Sequence, residues 1–121
     1  MATSDNPLAE KSYNFALKIV LLYKDLVSQH KEYVLSKQLL RSGTSIGANV
    51  AEANGAISKN DFSAKISIAY KESLETKYWL SLLKDADFLN EEKAIGLIND
   101  ADELSKIMFS ILKSTRIGKI K

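Results

Sequence analysis

A helical spacing of apolar residues runs through most of the chain, and no proline interrupts it after Pro7. A proline inside a helix removes a backbone hydrogen bond and kinks or ends the helix, so every later segment is free to be helical. No segment shows the strict alternation of apolar and polar residues that a half-buried strand needs. The sequence therefore predicts an all-α fold.

Four stretches carry this spacing, and cap residues mark where three of them begin. Asn6 followed by Pro7 combines a capping residue with one suited to the first helical position. Ser58, with Asp61 three residues later, resembles a capping box and opens the third stretch. Asn90 precedes two glutamates and opens the fourth. The second stretch begins near residue 33 or 34, without a clear start signal.

The ends of the stretches are less strongly marked. The first helix is predicted to end near Gln29, the third near Asp87, and the fourth at the stop signal Gly118. Helices of this length with short connections predict an antiparallel up-down four-helix bundle. We expect one domain over residues 1–121, with 1–6 and 117–121 as flexible termini.

The composition excludes several classes of function. The chain has no cysteine and only one histidine, His30, so we expect no cofactor and no metal site. The N-terminus lacks the pattern of a signal peptide, and Lys24 and Asp25 break the longest apolar run. These features predict a cytoplasmic protein that does not enter membranes. The net charge of +2 does not by itself indicate a nucleic-acid partner.

The stretch SGTSIGANVAEANGA, residues 42–56, is rich in glycine. A phosphate-binding loop needs a preceding strand and a lysine after its last glycine, whereas Gly47 follows Gly43 by only four positions and precedes Ala48. On a helix, Gly43, Gly47, Ala51 and Gly55 instead form one side that is almost free of side chains, the small-residue stripe. Each glycine costs the helix about 1 kcal/mol relative to alanine. This cost is offset if another backbone approaches closely, either within one bundle or from a neighbouring subunit; a frayed or kinked helix is the third interpretation.

Polar residues follow the same segment, where part of a core stripe is expected. They are spaced by three and four positions: Ser42, Ser45, Asn49 and Glu52. Arg41 precedes them, and the third helix carries Glu72 and Glu75. If the two helices are neighbours, Arg41 meets one of these glutamates and Asn49 bridges between the helices. Three interpretations stay open: a solvated charged face, a buried polar network that fixes the helix register, and a carboxylate or di-metal active site.

The end of the chain is basic. Residues 113–121 carry four positive charges and no acid: Lys113, Arg116, Lys119 and Lys121. On the first helix, Lys11 and Lys18 are weaker candidates for the same role. Such clusters bind the phosphate backbone of nucleic acids, but they are also common at helix C-termini and in solubilising tails. Both interpretations remain open.

The two central helices carry a set of residues that resembles the 23S rRNA intervening-sequence protein family. In chain order the matching residues are Gln38 to Arg41, Ser45-Ile46, Asn49 to Glu52, Phe62, Ile68-Ala69, and Glu72 with Glu75-Thr76. The resemblance extends from about Phe15 to Leu112. It also covers the similar accessory proteins of diversity-generating retroelement reverse transcriptases.

The resemblance implies a bundle that assembles into a ring-shaped homopentamer, and we expect this bundle to be non-enzymatic. The five family positions would then hold the bundle and the ring together: Arg41, Asn49, Glu52, Glu72 and Glu75. Gly43 and Gly47 of the small-residue stripe are expected to serve the same assembly, although many relatives have proline where this chain has Gly47. The retroelement relatives are described as binding nucleic acid and a polymerase, which implies RNA or a nucleic-acid enzyme as a partner. We expect a scaffold for RNA or a ribonucleoprotein, with a protein-interaction adaptor that binds no nucleic acid as the alternative.

Overall fold

Four helices make up the part of the chain that the structure describes. The structure is a computed structural model that describes residues 6–120, with side chains for residues 6–115. The helices are α1 (Pro7–His30), α2 (Leu35–Asn54), α3 (Lys59–Asp85) and α4 (Glu91–Ile120). No strand occurs within residues 6–120. The all-α prediction is therefore confirmed.

The three predicted helix starts are confirmed by their capping hydrogen bonds. The side-chain oxygens of Asn6, Ser58 and Asn90 each accept a hydrogen bond, 3.0 Å long, from the backbone N–H three residues later. Each bond satisfies one of the donors that a helix leaves unpaired in its first turn. In the capping box, the Asp61 carboxylate accepts from the N–H of Ile57, 3.3 Å away, and so secures the residue before the cap.

The ends of α1, α3 and α4 differ from the predictions by one or two residues. Helix α1 ends at His30 because Lys31 takes a left-handed conformation with φ 54°. Helix α4 passes Gly118 and reaches Ile120, so the prediction that Gly118 ends it is wrong. A glycine weakens a helix interior by about 1 kcal/mol, but it does not forbid one. Residues 1–5 and 121 of the predicted flexible termini lie outside the described residues, whereas 117–120 continue α4.

Neighbouring helices run in opposite directions. Along α2 and α3, Ser42 bonds to Thr76 near one end of the pair, and Glu52 pairs with Lys65 near the other. The same reversal relates α1 to α2, α3 to α4 and α4 to α1. The bundle is therefore antiparallel and up-down, as predicted. Helices α1 and α3 run in the same direction. They lie at diagonally opposite corners of the bundle and do not pack on each other.

The core consists of the helical stripes that the sequence predicts. Buried residues recur every three or four positions on each helix and form a single cluster; the largest are Ile19, Leu26, Leu39, Ile46, Ile66, Leu80, Leu83, Leu104 and Met108. Burial of these side chains supplies the main stabilising term of the fold.

The seam between α1 and α4 is the least extensively packed of the four. Three ion pairs lie along it: Lys11–Glu103 and Lys18–Asp100, each 3.0 Å, and Lys93–Asp25, 3.9 Å. Their side chains are substantially exposed, so each pair contributes at most about 1 kcal/mol.

Glu32 organises the turn between α1 and α2. Its carboxylate accepts hydrogen bonds from the backbone N–H groups of Val34, Leu35 and Ser36, at 3.0, 3.0 and 2.6 Å. It therefore performs the capping role that Val34, at the N-cap position, cannot perform. Partial burial raises the pKa of Glu32, but these backbone donors and the Ser36 hydroxyl outweigh it, so the pKa lies below its usual range.

We predict that Glu32→Gln lowers the free energy of unfolding by about 1 kcal/mol at pH 7, because the cap loses its charge. Since the pKa is lowered on folding, the stabilisation is present above the unfolded value of 4.5 and is lost as the pH falls through the folded pKa. Urea unfolding at pH 7 and pH 3 measures both effects. Glu92→Gln is the matched control, because Glu92 also lies in a first helical turn. An equal loss in both variants, or a loss that persists at pH 3, would contradict the assignment.

Candidate functional site

An ion-pair cluster lies where α2 faces α3. We call it the Arg41 cluster: Arg41, Glu72, Glu75 and Trp79. The Arg41 guanidinium donates from Nη1 to Glu72 Oε1, 3.2 Å away, and from Nη2 to Glu75 Oε2. Trp79 Nε1 donates to the same Glu75 oxygen at 2.8 Å. The structure thus brings together three charged residues that the sequence analysis singled out.

The Arg41 cluster has the properties of a structural contact more than those of a reactive site. Each carboxylate already receives a donor, and the Arg41 side chain is half exposed to solvent. Within the described residues, no group of three His, Cys, Asp or Glu could hold a metal ion. His30 lies at the end of α1, where its ring contacts Phe88 edge to face with centroids 6.0 Å apart. The cluster thus holds two carboxylates of α3 against one guanidinium of α2 and offsets part of their negative charge.

Asn49 does not bridge to α3, so that prediction is wrong. Its Nδ2 donates to the backbone oxygen of Ser45 at 2.9 Å and to the Ser45 hydroxyl at 3.0 Å, both within α2. An amide four residues along a helix reaches the preceding turn, and this local bond competes with bonds to other helices. The hydrogen bonds of Asn49 therefore stay within α2.

Buried hydroxyl pairs connect the helices beneath the charged surface. The hydroxyls of Ser42 and Thr76 are 3.0 Å apart between α2 and α3, and those of Ser73 and Ser105 are 2.6 Å apart between α3 and α4. All four side chains are buried. No buried side-chain N or O atom in the described part of the chain lacks a hydrogen-bond partner. Of the polar residues predicted along α2, Ser42 thus belongs to a buried hydroxyl pair, whereas Glu52 lies at the exposed edge.

Two further ion pairs lie on the flanks of α3. Glu52 Oε1 is 2.8 Å from Lys65 Nζ. The hydrogen bond to Glu52 and the negative charge of Glu52 raise the pKa of Lys65. On the other flank, hydrogen bonds from Lys77 and Lys106 lower the pKa of Asp102. The sequence analysis singled out Glu52 but missed Asp102, because its pairing with Lys77 requires knowing that α3 and α4 are neighbours.

The first half of the small-residue stripe faces α1 of the same chain. A Cβ atom on Gly43 would lie 2.9 Å from two side-chain carbons of Ile19, and one on Gly47 would lie 3.2 Å from the Ser12 backbone oxygen. Real Cβ atoms rarely approach other atoms so closely, so these glycines permit the close approach of two helices within one bundle. Ala51 is exposed, and Gly55 lies just beyond the end of α2.

The basic candidates are partly described. Lys113 is exposed on α4, whereas the side chains of Arg116, Lys119 and Lys121 lie outside the described residues. The weaker candidates, Lys11 and Lys18, are both engaged in ion pairs with acids on α4. Contact with a phosphate at either lysine would have to displace that acid.

Two rows of apolar side chains face outward, away from the core. The α1 ridge consists of Tyr13, Leu17 and Leu21, and the α3 ridge of Leu74, Tyr78 and Leu82. Their residues are between 37% and 68% exposed. The sequence analysis missed both ridges. In each, apolar residues recur every four positions on the side of the helix opposite its core stripe, and this spacing could have indicated them. Unpartnered apolar rows of this kind mark contact surfaces.

The hydropathy of the helices bears on whether any of them could span a membrane. Within the described residues, no helix carries an apolar window long enough to cross a bilayer.

Comparison with known proteins identifies the family. A family profile described as 23S rRNA-intervening sequence protein matches residues 4–110. The chain belongs to this family. The match includes both central helices and the Arg41 cluster, so the resemblance read from the sequence is confirmed. The family's description concerns the gene context of its members and states no biochemical activity.

A solved structure shares the fold of this family member. It is the crystal structure of a protein of unknown function from the S23 ribosomal protein family of Bacteroides thetaiotaomicron. The two chains are 50% identical, the similarity covers 88% of this chain and 98% of that one, and the TM-score is 0.86. No curated protein matches the sequence.

We predict opposite effects for alanine at two helical glycines. Gly43→Ala should lower the free energy of unfolding by about 1–2 kcal/mol, because the new methyl group displaces Ile19 and this strain exceeds the gain in helix propensity. Gly96→Ala should raise it by about 0.5–1 kcal/mol, because a Cβ there meets no atom within 4 Å. Chemical denaturation measures both variants. If Gly43→Ala is as stable as the parent, the close approach of α1 and α2 does not depend on this glycine.

Proposed function

We propose that the protein is a non-enzymatic, homo-oligomeric scaffold that contacts RNA through its basic end. The observation that carries this proposal is the pair of apolar ridges on opposite sides of the bundle. A soluble monomer rarely leaves two such rows without a partner. The bundle core already has its own buried residues, so the ridges are available for assembly.

A ring of five copies is the form of assembly that the family resemblance implies. In support, the ridges lie on α1 and α3, which occupy opposite corners of the bundle, so each copy offers one surface to a neighbour on either side. Closed rings form from such head-to-tail contacts when the rotation between copies closes. The five residues carried over from the family and the two glycines of the small-residue stripe are proposed to act within this architecture, with Arg41, Glu72 and Glu75 securing α2 against α3.

RNA contact is proposed for the end of α4. The backbone is helical through Ile120, so Lys113, Arg116 and Lys119 recur every three residues along a regular helix. A basic row of this kind attracts phosphates and makes binding depend on salt. In a ring, the basic ends of several copies would act together and raise the effective affinity.

The proposed assembly has a direct measurement. We expect light scattering of the purified chain to give about five times the chain mass of 13.4 kDa. Leu17→Glu places a charge in the middle of the α1 ridge and should reduce the mass toward that of one chain. Asn99→Glu, on an exposed position of α4, should leave the mass unchanged. A parent protein that is monomeric at micromolar concentration would overturn the oligomeric proposal.

The proposed RNA contact is tested by removing charge from the basic end. A variant with all four basic residues changed to Gln should lose at least tenfold in affinity for a structured RNA at low salt, because about four phosphate contacts are removed. The residues are Lys113, Arg116, Lys119 and Lys121. Gel shifts over a range of salt concentrations measure the loss and the salt dependence.

The matched control removes the same number of charges from exposed lysines elsewhere: Lys31, Lys37, Lys93 and Lys106. This control should bind RNA nearly as well as the parent. Equal losses in both variants would indicate a general charge effect, and an absence of binding at low salt would exclude RNA. A stoichiometric protein partner captured without nucleic acid would then favour the second candidate, a protein-interaction adaptor.

A further inference from the structure

We infer that the α1 ridge of one copy packs in parallel against the α3 ridge of the next copy, so that all copies point the same way around a common axis. This inference rests on the proposed homo-oligomeric function and names the surface and the occupant. The occupant is a second copy of this chain.

The two ridges have the same length and spacing. Each consists of three large side chains at positions i, i+4 and i+8, which span about 12 Å along a helix. Rows with a spacing of four residues are one of the two kinds of ridge that interdigitate when helices pack. Each ridge has one tyrosine and two leucines. The tyrosine is the first residue of the α1 ridge (Tyr13) and the middle residue of the α3 ridge (Tyr78). The ridges therefore complement each other without placing the two aromatic rings at the same level.

Charged residues flank the two ridges with opposite polarity. Glu10 lies three residues before the α1 ridge, and Lys24 lies three residues after it. On α3 the order is reversed, with Lys71 three residues before the ridge and Asp85 three residues after it. Among the described residues, Glu10, Lys24 and Lys71 take part in no ion pair. Asp85 pairs with Lys84 at 3.1 Å, but its side chain is 71% exposed and can still be reached. These charges are thus available to a partner.

This charge order selects the direction of packing. A parallel arrangement of α1 and α3 places Glu10 beside Lys71 and Lys24 beside Asp85, so both contacts are attractive. An antiparallel arrangement places Glu10 beside Asp85 and Lys24 beside Lys71, so both are repulsive. Complementary charges at the rim of an interface fix its register and exclude wrong arrangements.

Parallel packing has a consequence for symmetry. Helices α1 and α3 already run in the same direction within one bundle, so a parallel contact between copies keeps every bundle pointing the same way. A parallel contact is therefore compatible with a rotation axis along the helices, and the assembly is a cyclic ring where that rotation closes. Pairing each ridge with its own copy would instead alternate the bundles up and down in an open chain and would require two different interfaces.

The experiment uses charge reversal in the full chain, with light scattering and sedimentation as readouts. Glu10→Lys and Lys71→Glu should each raise the dissociation constant of the assembly about tenfold, because each places like charges in contact. The double variant Glu10→Lys with Lys71→Glu should restore the parent value. The pair Lys24→Glu with Asp85→Lys should behave in the same way at the other end of the ridges.

A third double variant separates this arrangement from its main competitor. If α1 packs against α1 of another copy in antiparallel fashion, Glu10 meets Lys24, and Glu10→Lys with Lys24→Glu restores assembly. If α1 packs against α3 as inferred, the same variant reverses both contacts and should assemble more weakly than either single variant. Circular dichroism melting of each variant confirms that the bundle itself is folded.

The outcomes are distinct. Rescue by the α1–α3 doubles and not by the α1 double supports the inference. Rescue by the α1 double, or no effect of any reversal on an assembly that does form, overturns the inference and leaves the proposed scaffold intact. A monomeric parent protein overturns both.

Discussion

The close approach of α1 and α2 at Gly43 is the constraint on which the arrangement of the bundle depends. The Ile19 side chain occupies the space that a side chain at this position would fill, and one turn later the Ser12 backbone lies 3.2 Å from where a Cβ on Gly47 would be. Only one side of α2 is thinned in this way. Ser42, the residue before Gly43, faces α3 instead, and Ile46 points into the core. Helix α2 thus presents a different surface to each of its neighbours.

Polar contacts set the register of the remaining helices. Apolar side chains pack in several registers at similar cost, whereas a hydroxyl pair such as Ser42–Thr76 is satisfied in only one. Ser73 and Ser105 play the same part between α3 and α4. The charged groups at the exposed edge of this network are individually weak, because solvent screens them. Specificity in this bundle therefore depends on small buried polar groups more than on its visible ion pairs.

Local features of the chain were predictable from sequence, and contacts between helices were not. The caps at Asn6, Ser58 and Asn90 were predicted because a cap needs only residues three positions apart. Glu32 was missed because its carboxylate reaches the first turn of α2 from outside the helix, in a pattern with no fixed signature. The Gly118 stop signal misled because glycine inside a helix is only a modest penalty.

The candidate functional surfaces could also be predicted from sequence only in part. The meeting of Arg41 with Glu72 and Glu75 followed from one assumption, that α2 and α3 are neighbours. Asn49 was misassigned because the same polar spacing also suits a bond within one helix. The outward ridges were not predicted, because the stronger apolar spacing on each helix is the one that forms the core. Apolar residues on the opposite face carry the information about partners.

The seam between α1 and α4 has a consequence for how the bundle forms and opens. Every other pair of packed helices is adjacent in the chain, so those contacts close short loops, whereas this seam joins residues as far apart as Lys11 and Glu103. Closing so long a loop has the largest entropic cost in the fold, and the seam offers the least packing in return. The first and last helices should therefore dock late in folding. They should also separate first under mild denaturing conditions, so amide hydrogens along this edge would exchange sooner than those between α2 and α3.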